Sequence, residues 1–303
     1  MSLFDSLLRA TLPLTPKPVV HFFARRYVAG AHLKEAIATV QRLGREGCRA
    51  TIDVLGESVT SRDLAQTAVN SYLEVIDAIV AHALDANVSL KPTQMGLNID
   101  EGFCRDNIAA VLAKAHANGI FVRIDMEDSP TTDATLRVYR DLARRYPGGT
   151  GVVLQARLRR TLSDAAALAA EGANVRLCKG IYLEPRPLAY QDRETIRNAF
   201  VQTLRVLLAG GSYVGIATHD DWLVEQSLAI INELRLDPSR YEFQMLLGVD
   251  PELRRIITSA GHGLRVYVPF GSHWYPYSVR RLRENPTIAR VGLEAFLHGR
   301  VES

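Results

Sequence analysis

From residue 50 onward, short apolar and β-branched runs alternate with longer stretches whose apolar positions recur at helical spacing. The runs Ala50–Val54, Val88–Lys91, Phe121–Asp125, Gly151–Gln155, Val175–Lys179, Tyr213–Thr218, Tyr241–Gln244 and Leu264–Val268 predict strands. Between them, Ser61–His82, Phe103–Ala117, Thr132–Tyr146, Thr161–Ala170, Glu194–Leu208, Asp221–Leu234 and Pro251–Ala260 predict amphipathic helices. This alternation predicts an α/β fold, a (β/α)8 TIM-like barrel. An open doubly wound sheet is the main competitor, and the absence of a G-x-G-x-x-G after any strand weighs mildly against it. A leader with Pro13, Pro16 and Pro18 and a helix over Leu33–Gly47 would pack outside or under the barrel. With no linker or low-complexity tract, one domain is expected over residues 1–303: a helical leader at 1–49, the barrel at 50–270 and C-terminal helices at 275–298.

The C-terminal ends of barrel strands are where such folds place their chemistry. Here they read Asp53, Lys91, Asp125, Gln155, Lys179, Thr218-His219, Gln244 and Tyr267. For any one of these, the ordinary reading is a solvated loop residue or a helix cap, and Thr218, Asp220, Asp128 or Ser129 would each serve as caps. A complete ring of polar ends is different, because a purely structural barrel has no need of it.

A second concentration lies near the C-terminus, where Tyr267, Phe270, Trp274, Tyr275 and Tyr277 run into Arg280-Arg281. A helix starting near Pro276 would put Tyr277, Arg280, Arg281 and Glu284 on one face. Paired guanidinium forks match carboxylates and phosphates, and neighbouring aromatic rings supply walls. That face predicts a grip on a small anion.

Bulk properties remove several function classes. Net charge is +3, with none of the basic excess of a nucleic-acid binder, so no nucleic-acid partner is expected. Hydrophobic residues make up 47% and charged ones 23%, a soluble globular balance. Cys48, Cys104 and Cys178 form no CxxC pattern, which points to a reducing compartment without disulfides. No apolar run reaches about 18 residues and no signal-peptide pattern opens the chain, so a cytoplasmic protein is expected. The first strand carries no histidine, and His219 alone ends a strand, which argues against a catalytic metal. No serine sits in a nucleophile elbow. Asp125-Met-Glu-Asp-Ser129 suggests glycosidase carboxylates, but Lys91, Lys179, Arg280 and Arg281 would bring too much positive charge for a neutral sugar.

In chain order, Leu55-Gly-Glu57, Lys91-x-Thr-Gln-Met-Gly96, Arg123-Ile-Asp-Met-Glu-Asp-Ser129, Val153-Leu-Gln155 and Arg176-Leu-Cys-Lys-Gly-Ile-Tyr182 form one series of motifs. Ala217-Thr-His219, Phe243-Gln-Met-Leu-Leu-Gly248, Tyr267-Val-Pro-Phe-Gly271 and Tyr277-x-x-Arg-Arg281 continue it. The series resembles that of bacterial monofunctional proline dehydrogenases, over about Arg26 to Leu297. The resemblance implies oxidation of L-proline to Δ1-pyrroline-5-carboxylate, with hydride passing from proline C5 to N5 of FAD and electrons going on to a membrane quinone. It also implies FAD at the strand C-termini of a distorted barrel, under a final helix.

Carried over by motif, Arg280 and Arg281 hold the proline carboxylate and Lys91 adds positive charge. Tyr267, Tyr277, Tyr182 and Leu246 enclose the pyrrolidine ring, and Glu57 pairs with the first arginine as a gate. Asp125 and Arg176 take the catalytic positions. Arg176 and Gln155 bond the isoalloxazine, and Lys179 lies near the ribityl or phosphate part. Met126, Gly180, Thr218, His219, Gln244 and Glu284 contact the rest of FAD. Pro92, Cys178 and Ile181 depart from the family pattern without removing a functional side chain. Asp125 is a candidate base, but pairing with an arginine would make it a poor one, and its role stays open. The resemblance is compatible with a homo-oligomer, with a downstream pyrroline-5-carboxylate/glutamate-semialdehyde dehydrogenase as partner, and with peripheral contact at the inner face of the membrane. A methylenetetrahydrofolate reductase-like flavin barrel, which would not explain the tyrosine-Arg-Arg helix, and a non-catalytic amino-acid sensor, which would not be a yellow protein bleached by L-proline, are the rival readings.

Overall fold

The computed structural model describes residues 26–275 and 277–279; Arg280, Arg281 and Glu284 lie outside them. Helix α1 (Leu33–Arg45) leads into β1 (Arg49–Val54), α2 (Arg62–Ala81), β2 (Ala86–Leu90), α3 (Glu101–Ala117) and β3 (Val122–Ile124). Then come α4 (Thr132–Arg145), β4 (Thr150–Gln155), α5 (Thr161–Ala170), β5 (Asn174–Cys178), α6 (Arg193–Ala209) and β6 (Tyr213–Ala217). The series closes with α7 (Asp221–Glu233), β7 (Tyr241–Leu246), α8 (Pro251–Ser259) and β8 (Leu264–Phe270). The strands form a closed barrel in sequence order, β8 pairing in parallel with β1, so the open-sheet alternative is excluded.

The period-2 alternation of each strand sends two kinds of side chain in opposite directions. Outward residues such as Ile52, Val88, Ile124, Leu177, Ile216 and Val266 are fully buried in the apolar layer beneath the helices. Burial of each such side chain stabilises the fold by about 1.5–3 kcal/mol. Inward residues are mostly polar: Thr51, Ser89, Arg123, Arg176, Glu242 and Gln244 are all buried. Branched apolar residues usually fill this space; here hydrogen bonds do. Arg123 reaches from β3 to the Asn174 carbonyl at the start of β5, 2.7 Å away. Gly151 on β4 makes room, because a Cβ there would collide with the Arg123 guanidinium and the Asn174 carbonyl.

Helix starts follow local side chains. Ser61, Asp100, Asp192 and Asp250 each accept a hydrogen bond from a backbone N–H in the first turn. The Asp100 cap starts α3 at Glu101, two residues before the expected start. Strand β8 continues through Pro269, where the sequence pattern stopped; in register with Asp53 it needs no N–H at that position, and its carbonyl accepts from Ala29 at 2.9 Å. Residues 274, 275 and 277–279 are helical, so the terminal helix begins by Trp274, ahead of the expected Pro276.

Candidate active site

Three inward side chains from neighbouring strands converge where β1, β2 and β3 end. Lys91 follows β2 and donates to both oxygens of Asp53, at 3.0 and 3.2 Å. Its ammonium also lies 3.7 Å from Asp125 and 3.3 Å from the Tyr267 hydroxyl. Burial opposes the Lys91 charge, but Asp53 and Asp125 outweigh it and raise the pKa above the ordinary value. The lysine is therefore a fixed cation. Burial also pushes the Asp53 carboxyl up, against the pull of Lys91. Tyr72 reaches in from α2, donating to the Ser89 carbonyl at 2.7 Å with Asp53 Oδ1 at 3.3 Å.

Asp125 is the hub. Its Oδ1 accepts from Ser89 at 2.6 Å and from Arg176 Nη1 at 2.8 Å, and its Oδ2 accepts from Tyr267 at 3.4 Å. Arg176 lies on β5, and its guanidinium carbon stands 5.6 Å from the centre of the Tyr267 ring. Burial, with Asp53 and Asp125 beside it, drives the Tyr267 phenol well above its ordinary pKa, so it stays protonated. Arg176 Nε donates to Gln244 Oε1 at 2.6 Å. Lys91, Asp125, Arg176, Tyr267 and Gln244, singled out from sequence, thus form one bonded cluster.

A second group sits around the ends of β4 to β7. The Gln155 amide donates to the Glu127 carbonyl at 2.7 Å. Gly180 has φ +95, and a Cβ on it would lie 2.9 Å from Gln155 Oε1, so the glycine leaves a bare edge beside that amide. Lys179 pairs with Asp220 at 2.9 Å, and Arg197 takes the other carboxylate oxygen at 2.7 Å. Burial works against the Asp220 charge, but these two partners prevail and bring its carboxyl down to about 2. Asp220 therefore does not cap α7 with its side chain, contrary to the sequence reading; its carboxylate is committed to two cations. Asp128 likewise makes no side-chain cap to the turn that follows it. Thr218 is buried and accepts from the Asp220 N–H at 3.1 Å. His219 Nε2 accepts from the Leu246 N–H at 2.9 Å, tying two expected site residues together.

Of the remaining expected residues, Met126 is buried, and Glu57, Tyr182 and Leu246 are half-buried. The Tyr182 carbonyl accepts from Arg157 at 2.6 Å. Tyr277 is buried with Tyr27, Val28 and Leu55, beside Trp274. Sequence reasoning missed Ser89, Tyr72, Glu242 and Arg265 as parts of the cluster. A surface cavity of about 730 Å³ opens at the opposite barrel end around Arg49, Tyr213 and Gly263 and touches none of these groups. Charge, not volume, locates the site. Among the described residues no three His, Cys, Asp or Glu side chains converge to hold a metal, and no helix is long and apolar enough to cross a membrane.

A (β/α)8 barrel with buried cations and carboxylates paired at its C-terminal mouth has the layout of a barrel enzyme. The proline dehydrogenase family model matches residues 36–291, and the chain belongs to that family. It is 36% identical to proline dehydrogenase 1 of Bacillus subtilis subsp. natto over 274 residues, 90% of each chain. It is 32% identical to the proline dehydrogenase of Deinococcus radiodurans over 98% of this chain and 100% of that one. Its fold matches proline utilization A from Bdellovibrio bacteriovorus, inactivated by N-propargylglycine, with a TM-score of 0.82 at 24% identity. That match covers 88% of this chain and 33% of the other, so the chain spans about a third of that solved protein.

Proposed function

We propose that this protein oxidises L-proline to Δ1-pyrroline-5-carboxylate with FAD as cofactor, the first step of proline catabolism. The observation that carries this reading is the buried Lys91–Asp125–Arg176–Tyr267 cluster at the barrel mouth, in a chain of the proline dehydrogenase family. The donor set fits a flavin nucleotide: a guanidinium, an amide beside a bare glycine edge, and a lysine, on adjacent strand ends. Arg176, Gln155, Lys179, Gly180, Met126, Thr218, His219, Gln244 and Glu284 would hold it. When bound, FAD supplies the acceptor for the hydride that leaves proline C5, with a membrane quinone as the acceptor beyond it.

The chain's own residues do the rest. Arg280 and Arg281 grip the proline carboxylate, and two guanidinium forks on one carboxylate set the ring's orientation. Lys91, held charged by Asp53 and Asp125, adds attraction without needing a proton from elsewhere. Tyr267, Tyr277, Tyr182 and Leu246 wall the ring, and Glu57 closes over it through Arg280. Asp125 spends its lone pairs on Ser89, Arg176 and Tyr267, with Lys91 beside it, which makes it an electrostatic anchor and not a proton acceptor. The substrate nitrogen accordingly loses its proton to solvent. Arg176 keeps a fixed positive charge where negative charge develops during the reaction.

The flavin-loaded protein should release Δ1-pyrroline-5-carboxylate from L-proline in step with reduction of a soluble quinone analogue. Folded, flavin-loaded protein that forms no such product would refute the reading.

A further inference from the structure

Arg176 and Gln244 are inward residues on β5 and β7, and the inward position of β6 between them is Gly215. A Cβ at Gly215 would collide with the Gln244 amide, so the glycine creates the space in which that amide lies. Arg176 Nε donates to Gln244 Oε1, and Gln244 Nε2 donates to Glu242 Oε1 at 2.8 Å. An arginine only donates and an ionised carboxylate only accepts, so just one of the two amide orientations satisfies both neighbours. Burial opposes ionisation of Glu242, but Arg265, 2.7 Å from the same oxygen, outweighs it and holds the carboxyl below its ordinary value. Arg265 is fixed in turn by the Ala50 carbonyl, 2.8 Å from its Nη1. A chain of single-valued hydrogen bonds therefore runs from the backbone of β1 to the guanidinium at the mouth.

We propose that Glu242 is a positioning residue for proline oxidation: its buried carboxylate locks the Gln244 amide with its oxygen toward Arg176 and so aims the Arg176 guanidinium. Glu242 acts through Gln244, two positions nearer the mouth on the same strand. The proposal rests on the role given to Arg176 above. Without the carboxylate, the amide can turn over and set its NH2 against the guanidinium, donor against donor.

The test compares Glu242→Leu, which removes the acceptor, with Glu242→Gln, whose amide oxygen can take the place of Oε1 and accept from both Arg265 and Gln244. Glu242→Leu should lose about tenfold in kcat with KM within about twofold, and Glu242→Gln should lose distinctly less. A crystal structure of Glu242→Leu should show the Arg176 guanidinium displaced. Parental kcat in Glu242→Leu, a loss of kcat with Arg176 unmoved, or a Glu242→Gln as slow as Glu242→Leu would each overturn the proposal. If Glu242→Leu does not fold, Glu242→Gln decides alone: Arg176 held in place with most of kcat kept supports the lock, and folded but slow protein with Arg176 unmoved overturns it. A parent that does not oxidise proline refutes the functional reading instead, and the position of Arg176 in the crystal still judges the lock.

Discussion

Arg176 and Lys91 divide the positive charge of the mouth between two kinds of cation. Arg176 is forked and directional, held by Asp125, Ser89 and Gln244, whereas Lys91 is a compact charge held by Asp53. In the proposed reaction, removing Arg176 takes away a charge whose worth grows as the reaction proceeds. Arg176→Ala should therefore fold, bind proline nearly as well and turn over far more slowly, the loss falling on kcat more than on KM. A KM-only defect, measured by steady-state kinetics, would move Arg176 to the substrate. The opposite signature is expected of Arg280→Met and Arg281→Met. On the proposed grip on the carboxylate, each loses a charge-assisted contact, about 1.5–3 kcal/mol, and so raises KM by roughly tenfold or more while flavin content holds. Unchanged KM in both would remove the terminal helix from the carboxylate. Sequence reading found Lys91, Asp125, Gln155, Gln244 and Tyr267 because each stands at or near a strand end. Ser89, Arg123, Glu242 and Arg265 were legible by the same alternation, each two positions behind one of these, but buried charges run against the usual expectation for a barrel interior. Tyr72 was not legible, since it enters the site from a helix by tertiary packing.

Strands and helices carry the cluster through packing that admits little change. At Gly151 on β4 a methyl group would meet both the Arg123 guanidinium and the Asn174 carbonyl, and the carbonyl is backbone that cannot swing aside. Gly151→Ala should cost about 1–3 kcal/mol of stability, read from chemical denaturation, as overpacking does. Unaltered stability would mean that Arg123 has room this geometry denies it. Asp220 joins the loop after β5 to α6 through Lys179 and Arg197. Its folded pKa, about 2, lies below the ordinary 3.8, so its stabilisation is present above that ordinary value and is lost as pH falls toward 2. The melting temperature of Asp220→Asn should fall short of the parent's near neutrality, and the gap should shrink as the pH drops from about 4 to 2. A gap that stays constant with pH would mean that the carboxylate charge contributes nothing. Asp220 looked like a helix cap in the sequence because the cap position and the ion-pair position coincide there; only the cations across the loop decide between them.

The strands and helices of the barrel were legible in the sequence because each has its own period, and the pairing of β8 with β1 then excludes the open sheet that the pattern left as a competitor. What the pattern did not reveal is how the interior is filled. A polar core couples the barrel's N-terminal half, through Arg265, Glu242 and Gln244, to the crown at its mouth. Family membership and that crown together make proline oxidation on a flavin the central claim. An anaerobic titration of the purified protein with L-proline, followed in the visible flavin bands, tests it most directly. Yellow protein should bleach stoichiometrically with added L-proline, and Arg176→Ala should bleach more slowly at saturation. A folded protein that carries no flavin after reconstitution, or whose yellow bands persist in saturating L-proline, would contradict the account.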